Sequence, residues 1–176
     1  MVTLRLLPRR LACLLSSLLL AGLAGAAPAD FAGRWQLDPE ASTSLDPWSG
    51  LEMEITVGDD SLALVRHFKA GPREATETLA LTHKPVAQEI TVEGWWDNRH
   101  IDAWLANGNR ITVTPRWNDA GDSLVLTIAM VLETQQGDRA VGVTRTFTLE
   151  DDGRTLREVQ VRESRKRPVI HVYRKP

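Results

Sequence analysis

The stretch "FAGRWQLD", residues 31–38, opens the first part of the chain that alternates like a β-strand. Phe31, Trp35 and Leu37 fall on one face of an extended segment, because side chains alternate sides along a strand. Gly33 lies on the same face and carries no side chain, so the backbone there is open to close approach. A Gly-x-Trp pair is short. It is informative because it lies at the start of the first predicted strand.

Residues 1–26 have the pattern of a secretory signal peptide. Three arginines precede an almost unbroken apolar run over residues 11–20, and Ala24 and Ala26 form a small-x-small cleavage site. The run is shorter than the roughly 20 apolar residues that a transmembrane helix needs. We therefore expect cleavage after Ala26, export to the periplasm or the medium, and a mature chain that does not span the membrane.

The mature chain, residues 27–176, is long enough for a single domain with a sizeable core. The lone cysteine, Cys13, lies in the leader, so no disulfide stabilises the mature domain. The leader holds three of the 21 basic residues and none of the 23 acidic ones, which leaves the mature chain at a net charge of −5. A net acidic domain is a poor candidate for nucleic-acid binding.

Apolar and polar residues alternate with a period of two through most of the mature chain, as Leu51, Met53 and Ile55 show. Turn signals such as Asn107-Gly108 separate these segments. Consecutive short strands of this kind predict an all-β fold, either an antiparallel up-and-down β-barrel of about 8–10 strands or a sandwich. The predicted strands are 31–37, 51–57, 61–69, 74–82, 86–93, 99–106, 110–117, 123–133, 139–149 and 155–163, with 168–174 as a further candidate.

The strand at 123–133 has apolar residues on both faces, since Val125, Ala129 and Val131 fall on the side that should meet water. Such a face is expected to be covered. We predict that residues 38–50, with Trp48, cover it, and that residues 38–49 form at most a short helical turn. A second copy of the protein is the alternative cover, so we expect a monomer in preference to a dimer.

The first strand, Phe31-x-Gly33-x-Trp35-x-Leu37, resembles the entry strand of the calycin superfamily, which includes lipocalins, fatty-acid-binding proteins and avidins. The resemblance implies that Trp35 packs across the floor of a barrel and that a basic residue of the last strand, here Arg174, lies over its ring. His171-x-Tyr173 is similar to the Arg-x-Tyr pair with which fatty-acid-binding proteins hold a carboxylate. The second lipocalin motif and the two-helix lid have no counterpart. We therefore expect a lipocalin-like barrel of an unassigned branch, with a sandwich as the alternative.

Four polar residues share otherwise apolar strand faces and are candidate ligand-binding residues: Arg66, Arg145, His171 and Tyr173. A buried guanidinium requires an internal acid or an anionic ligand, because an unpaired buried charge is very costly. Glu158 is a candidate acid. In the alternative, these faces point outward or the arginines are paired for structural reasons alone.

The stretch "EGWWDNRHIDAW", residues 93–104, is the densest cluster of polar and aromatic residues. Trp95 and Trp96 at a barrel mouth would suit flat or sugar-like ligands, and Asp97 with His100 is a candidate acid–base pair. No known catalytic motif accompanies them. A turn whose aromatic residues close the barrel end is the alternative.

The histidines are scattered and lack metal-ligand spacing, so the sequence implies no metal and no cofactor. The leading hypothesis is an exported barrel that binds a small, apolar or amphipathic ligand. The inward arginines would allow this ligand to be anionic. The first alternative is a barrel enzyme (an isomerase, hydratase or hydrolase) that uses Asp97 and His100, or His171 and Tyr173. The second is an envelope module that binds a protein partner.

Overall fold

The computed structural model describes residues 28–92, 104–165 and 167–176. A short 3-10 helix, Pro28–Phe31, leads into eleven described β-strands, and a second 3-10 turn, Asp151–Gly153, links two of them. The strands are β1 Gly33–Leu37, β2 Gly50–Val57, β3 Ser61–Ala70, β4 Arg73–Thr82, β5 Gln88–Thr91, β6 Trp104–Leu105, β7 Arg110–Trp117, β8 Ser123–Glu133, β9 Arg139–Glu150, β10 Thr155–Arg162 and β11 Val169–Arg174.

These bounds agree with the predicted strands to within two residues, apart from the strand predicted at 99–106, most of which lies outside the described residues. The agreement follows from the clean alternation of burial, as in β3, where every second side chain from Leu62 to Phe68 is buried. A strand with one apolar face buries that face only when it is in the correct register with its neighbours.

The strands form one antiparallel sheet in the order β4-β3-β2-β1-β11-β10-β9-β8-β7-β5, with β6 paired to β8. The first and last strands are neighbours, as predicted for a closing barrel, and Gln36 pairs with Arg174. Between β4 and β5, the side chain of Gln88 accepts a hydrogen bond from the Thr82 amide and donates one to its carbonyl. The result is a nearly closed antiparallel barrel. The helices among the described residues are all too short or too polar to cross a membrane.

One end of the barrel, the floor, is closed by aromatic side chains. Trp35 is fully buried and donates a hydrogen bond from Nε1 to the Phe31 carbonyl at 2.9 Å. Phe31 meets Trp117 edge to face, with ring centroids 4.8 Å apart. Gly33 has a φ of +127°, which side-chain-bearing residues rarely adopt, and so it allows the turn from the helix into β1.

The cation over Trp35 is Lys175, whose Nζ lies 4.8 Å from the ring centroid, so the prediction that Arg174 would occupy this place is wrong. Arg174 is paired with Gln36, one residue away from Trp35, and residues directly opposite each other share a face of the sheet. It therefore points to the outside, where it lies 3.5 Å from Asp38.

Residues 38–49 contain no helix, and residues 38–43 lie along β11. The Ser49 amide donates to the Lys69 carbonyl of β3 at 2.8 Å, and the centroid of the Trp48 ring lies 5.6 Å from that of Phe68, so the prediction that the segment covers the outer face of β8 is wrong. The amide of Thr43 donates to the Ile170 carbonyl at 2.7 Å, and the Val172 amide donates to the Ser42 hydroxyl at 2.9 Å. β11 needs these partners because β1 pairs with it only over its last two residues. The outer face of β8 remains partly exposed.

Candidate binding site: a buried charged cluster

Four charged side chains from four strands meet inside the barrel. Arg66 on β3 pairs directly with Glu77 on β4, while Arg145 on β9 and Glu158 on β10 come from the opposite wall. All four lie on inward faces whose other members are mainly apolar, and each is at most 3% exposed. We call them, together with Gln160, His171 and Tyr173, the buried charged cluster.

The ion pair between Arg66 and Glu77 forms the first half of the cluster. Nε of Arg66 donates to Oε1 of Glu77 at 3.0 Å, and Nη2 donates to both carboxylate oxygens at 2.7 and 2.8 Å. This fork-to-carboxylate arrangement is the strong geometry for such a pair. The guanidinium of Arg66 also lies 5.2 Å from the centroid of the Phe68 ring.

Arg145 joins the two walls of the barrel. Its Nη1 donates to Oε1 of Glu77 at 2.9 Å, although the two residues are 68 positions apart in the chain. Its Nε donates to the side-chain carbonyl of Gln160 at 3.2 Å, directly across the β9–β10 ladder. The cluster therefore bridges the lumen and does not merely line one wall.

Glu158 is the centre of the second half. Its Oε2 accepts hydrogen bonds from the Tyr173 hydroxyl at 2.7 Å and from Nδ1 of His171 at 3.3 Å. Its Oε1 lies 3.8 Å from a guanidinium nitrogen of Arg66 and 3.8 Å from one of Arg145. Both carboxylates of the cluster thus face both arginines.

The cluster keeps its carboxyl groups ionised. Burial by itself raises the pKa of Glu158, but the hydrogen bond from His171 and the charges of Arg66 and Arg145 outweigh it and hold that pKa well below its usual range. Burial likewise opposes ionisation of Glu77, whose pKa is lowered by the two arginines. Burial and the charge of Glu158 raise the pKa of Tyr173, which therefore stays a hydroxyl donor.

Nε2 of His171 and Oε1 of Glu158 are buried polar atoms of the cluster that have no hydrogen bond to any described residue. An ionised carboxylate can only accept, so Nδ1 of His171 carries the hydrogen that points to Glu158. In the neutral ring, Nε2 is then an acceptor for a hydrogen bond or a proton. A carboxylate that orients a histidine in this way also fixes its ring.

The structure brings together Arg66, Arg145, His171 and Tyr173, which the sequence singled out separately. It adds Glu77, which sequence reasoning missed. The signal was present, because Glu77 shares the inward face of β4 with Leu79 and Leu81. The residues at the predicted mouth lie outside the described residues: Trp95, Trp96, Asp97 and His100.

A depression on the outer surface competes with the cluster as a candidate site. It has a volume of about 350 Å³ and lies over β1–β3, where Arg34, Glu54 and His67 contribute to its lining. Arg34 and Glu54 lie 3.9 Å apart and are both exposed, and an exposed ion pair of this kind contributes little energy. The depression holds no buried charge, so the cluster is the stronger candidate.

No protein-family model and no curated protein sequence matches this chain. Solved structures do match its fold. One is named REP1-NXSQ fatty acid transporter, with a TM-score of 0.52 and 12% sequence identity over 84% of this chain and 97% of that one. A point mutant of the same transporter matches with a TM-score of 0.51 and 12% identity over 84% of this chain and 99% of that one. These likenesses support a lipocalin-like barrel.

Proposed function

We propose that this protein is an exported, lipocalin-like barrel that binds a small amphipathic molecule in its lumen. The apolar part of the ligand contacts the apolar inner faces of the strands, and its polar group contacts the buried charged cluster. The observation that carries the proposal is the cluster itself, in which two arginines and two glutamates bridge the inside of a barrel.

Stability alone is a weak reason to bury four charges together. The desolvation of buried charges is so costly that apolar residues of similar volume often stabilise a protein as well or better. Groups of this kind, buried and mutually shifted in pKa, are characteristic of functional sites.

The apolar surroundings favour a ligand with a hydrocarbon part. The inward side chains of β7 and β8, such as Ile111, Val113 and Ile128, are fully or almost fully buried and lack polar atoms. Pockets for small ligands combine such surfaces with a few polar groups that orient the molecule. The transporters of similar fold are named for fatty acids, which have this amphipathic character.

A dye-binding experiment tests the proposal. N-phenyl-1-naphthylamine, an uncharged dye that fluoresces in apolar surroundings, should bind to the purified mature chain, and twelve-carbon amphiphiles should displace it. Tyr173→Phe keeps the ring but removes the hydroxyl that donates to Glu158. We expect it to weaken displacement by about tenfold or more. Glu158 would lose a hydrogen bond that holds it in the cluster, and a hydrogen bond to a charged group is worth about 1.5–3 kcal/mol.

The matched control is Glu54→Gln, which lies on the outer depression. It should leave dye binding and displacement unchanged. Absence of dye binding, or a loss of binding in Glu54→Gln with none in Tyr173→Phe, would contradict a luminal site.

Export is tested independently of binding. Expression of the full chain in a bacterial host, followed by intact mass measurement of each cell fraction, should give a soluble species that begins at Ala27. Retention of residues 1–26 on membrane-bound protein would refute the export proposal.

A further inference from the structure

We propose that the polar group recognised by the buried charged cluster is an uncharged hydrogen-bond donor, a hydroxyl group, and not a carboxylate. This inference rests on the proposed function, because it specifies the head group of the luminal ligand. The two arginines alone would indicate an anionic ligand. Glu77 and Glu158 change that expectation, because they already occupy the arginines.

Six hydrogen bonds donated by Arg66, Arg145 and Tyr173 end within the cluster, five of them on its own carboxylates and one on the side-chain carbonyl of Gln160. Arg66 makes three hydrogen bonds to Glu77, Arg145 makes one to Glu77 and one to Gln160, and the Tyr173 hydroxyl donates to Glu158. A ligand carboxylate would have to displace one of these acceptors. It would also lose its hydration, which is costly for an ionised group.

Two buried atoms of the cluster can accept a hydrogen bond from a ligand when the His171 ring is neutral. Nε2 of His171 and Oε1 of Glu158 are buried and make no hydrogen bond to a described residue. A buried polar atom without a partner costs about 1–3 kcal/mol, and a ligand that donates to it removes that cost. A ligand hydroxyl can donate to Nε2 of the neutral His171 ring, whereas an ionised carboxylate has no hydrogen to donate.

An ammonium group would also donate, but its charge is unsuitable. The guanidinium groups of Arg66 and Arg145 lie close to Glu158, and Arg162 is also buried on the inward face of β10. A further cation there would be repelled and would lose its hydration. An uncharged donor avoids both penalties.

The experiment compares probes that differ only in the head group. Dodecan-1-ol, dodecanoic acid, dodecan-1-amine and methyl dodecanoate are used to displace N-phenyl-1-naphthylamine from the mature chain at pH 8. We expect the alcohol to displace the dye at concentrations about tenfold lower than the acid, the amine or the ester, as one hydrogen bond allows. The ester matters because it is uncharged but cannot donate.

Two histidine variants test whether the preference for the alcohol depends on Nε2 of His171. His171→Leu removes the Nε2 acceptor and should abolish the preference for the alcohol over the ester. His67→Leu, on the outer face of β3 beside the surface depression, should keep that preference. Should His171→Leu fail to fold, the probe series on the unaltered protein still decides the question.

The outcomes are distinct. Displacement by the acid at the lowest concentration, or equal displacement by alcohol and ester, would overturn the hydroxyl inference while leaving a luminal binding protein. No displacement by any of the four probes would overturn the proposed function as well.

Discussion

At the scale of single residues, the contact between Trp35 and Lys175 closes the barrel floor. The buried indole lies under the ammonium group of Lys175, which also donates a hydrogen bond to the Asp30 carbonyl. Arg174, the neighbouring residue, lies on the other side of the sheet with Asp38. One position in the sequence therefore separates a residue that caps the floor from one that contacts solvent.

A double-mutant cycle measures this contact. Trp35→Leu combined with Lys175→Met should give a coupling energy of about 0.5–1 kcal/mol in urea unfolding, the range of a cation–π contact at an exposed edge. The control cycle, Trp35→Leu with Arg174→Met, should give none. Trp35→Ala alone should cost about 3–5 kcal/mol, as for other large buried aromatics. Coupling to Arg174 in place of Lys175 would contradict the placement.

At the scale of secondary-structure elements, β11 is held on one side by an irregular segment. The hydroxyl of Ser42 accepts from the Val172 amide, and Oγ1 of Thr43 accepts from the Ile170 amide at 3.0 Å. These side chains replace the ladder bonds that a longer β1 would supply. β11 carries His171 and Tyr173, so the segment also supports the cluster.

Ser42→Ala and Thr43→Ala should loosen this edge. Each substitution leaves a backbone amide without its acceptor, which costs about 1–3 kcal/mol. Amide hydrogen exchange should accelerate at Val172 in the first variant and at Ile170 in the second. Unchanged exchange at both amides would show that the segment does not hold β11. Ser49→Ala, whose hydroxyl donates to the Lys69 carbonyl of β3 and not to β11, serves as the control.

The outer face of β8 offers a second prediction at this scale. Val125 and Val131 are half-buried, and Ala129 between them is exposed. Since residues 38–49 lie elsewhere, Val125→Lys and Val131→Glu should change the free energy of unfolding by no more than about 0.5 kcal/mol. A larger loss, or a change of mass in sedimentation, would instead indicate that a second copy covers this face.

At the scale of the whole molecule, the buried charged cluster makes stability depend on pH. The folded-state pKa values of Glu77 and Glu158 lie below the ordinary value of 4.5. The unfolded chain therefore binds more protons than the folded one in acid. The stabilisation is fully present above pH 4.5 and is lost as the pH falls towards the folded-state values.

Urea unfolding at a series of pH values from neutral to acidic checks this dependence. The free energy of unfolding should fall progressively below the ordinary glutamate pKa. Glu158→Gln should lower the free energy of unfolding by about 3–5 kcal/mol at pH 7, because two buried arginines then lose one of their countercharges. It should also make the loss of stability in acid less steep. Glu54→Gln, on the exposed outer face, should retain both the stability and the slope. A loss of stability in acid as steep in Glu158→Gln as in the unaltered protein would contradict the assignment.

The sequence by itself determined the strands and their inward faces. A period of two tells which residues share a face, so Arg66, Arg145, His171 and Tyr173 could be predicted to lie together with the apolar side chains. Gly33 and Trp35 on the first strand likewise indicated a barrel, and the fold agrees.

Only the tertiary structure decided which residues meet. Alternation says nothing about distances across a lumen, so the contact of Arg145 with Glu77 on the opposite wall followed from barrel closure and strand register. The position of Lys175 over Trp35 and the course of residues 38–43 along β11 depended on non-local pairing in the same way. Local periodicity is a property of a segment, whereas the cluster is a property of segments far apart in the chain.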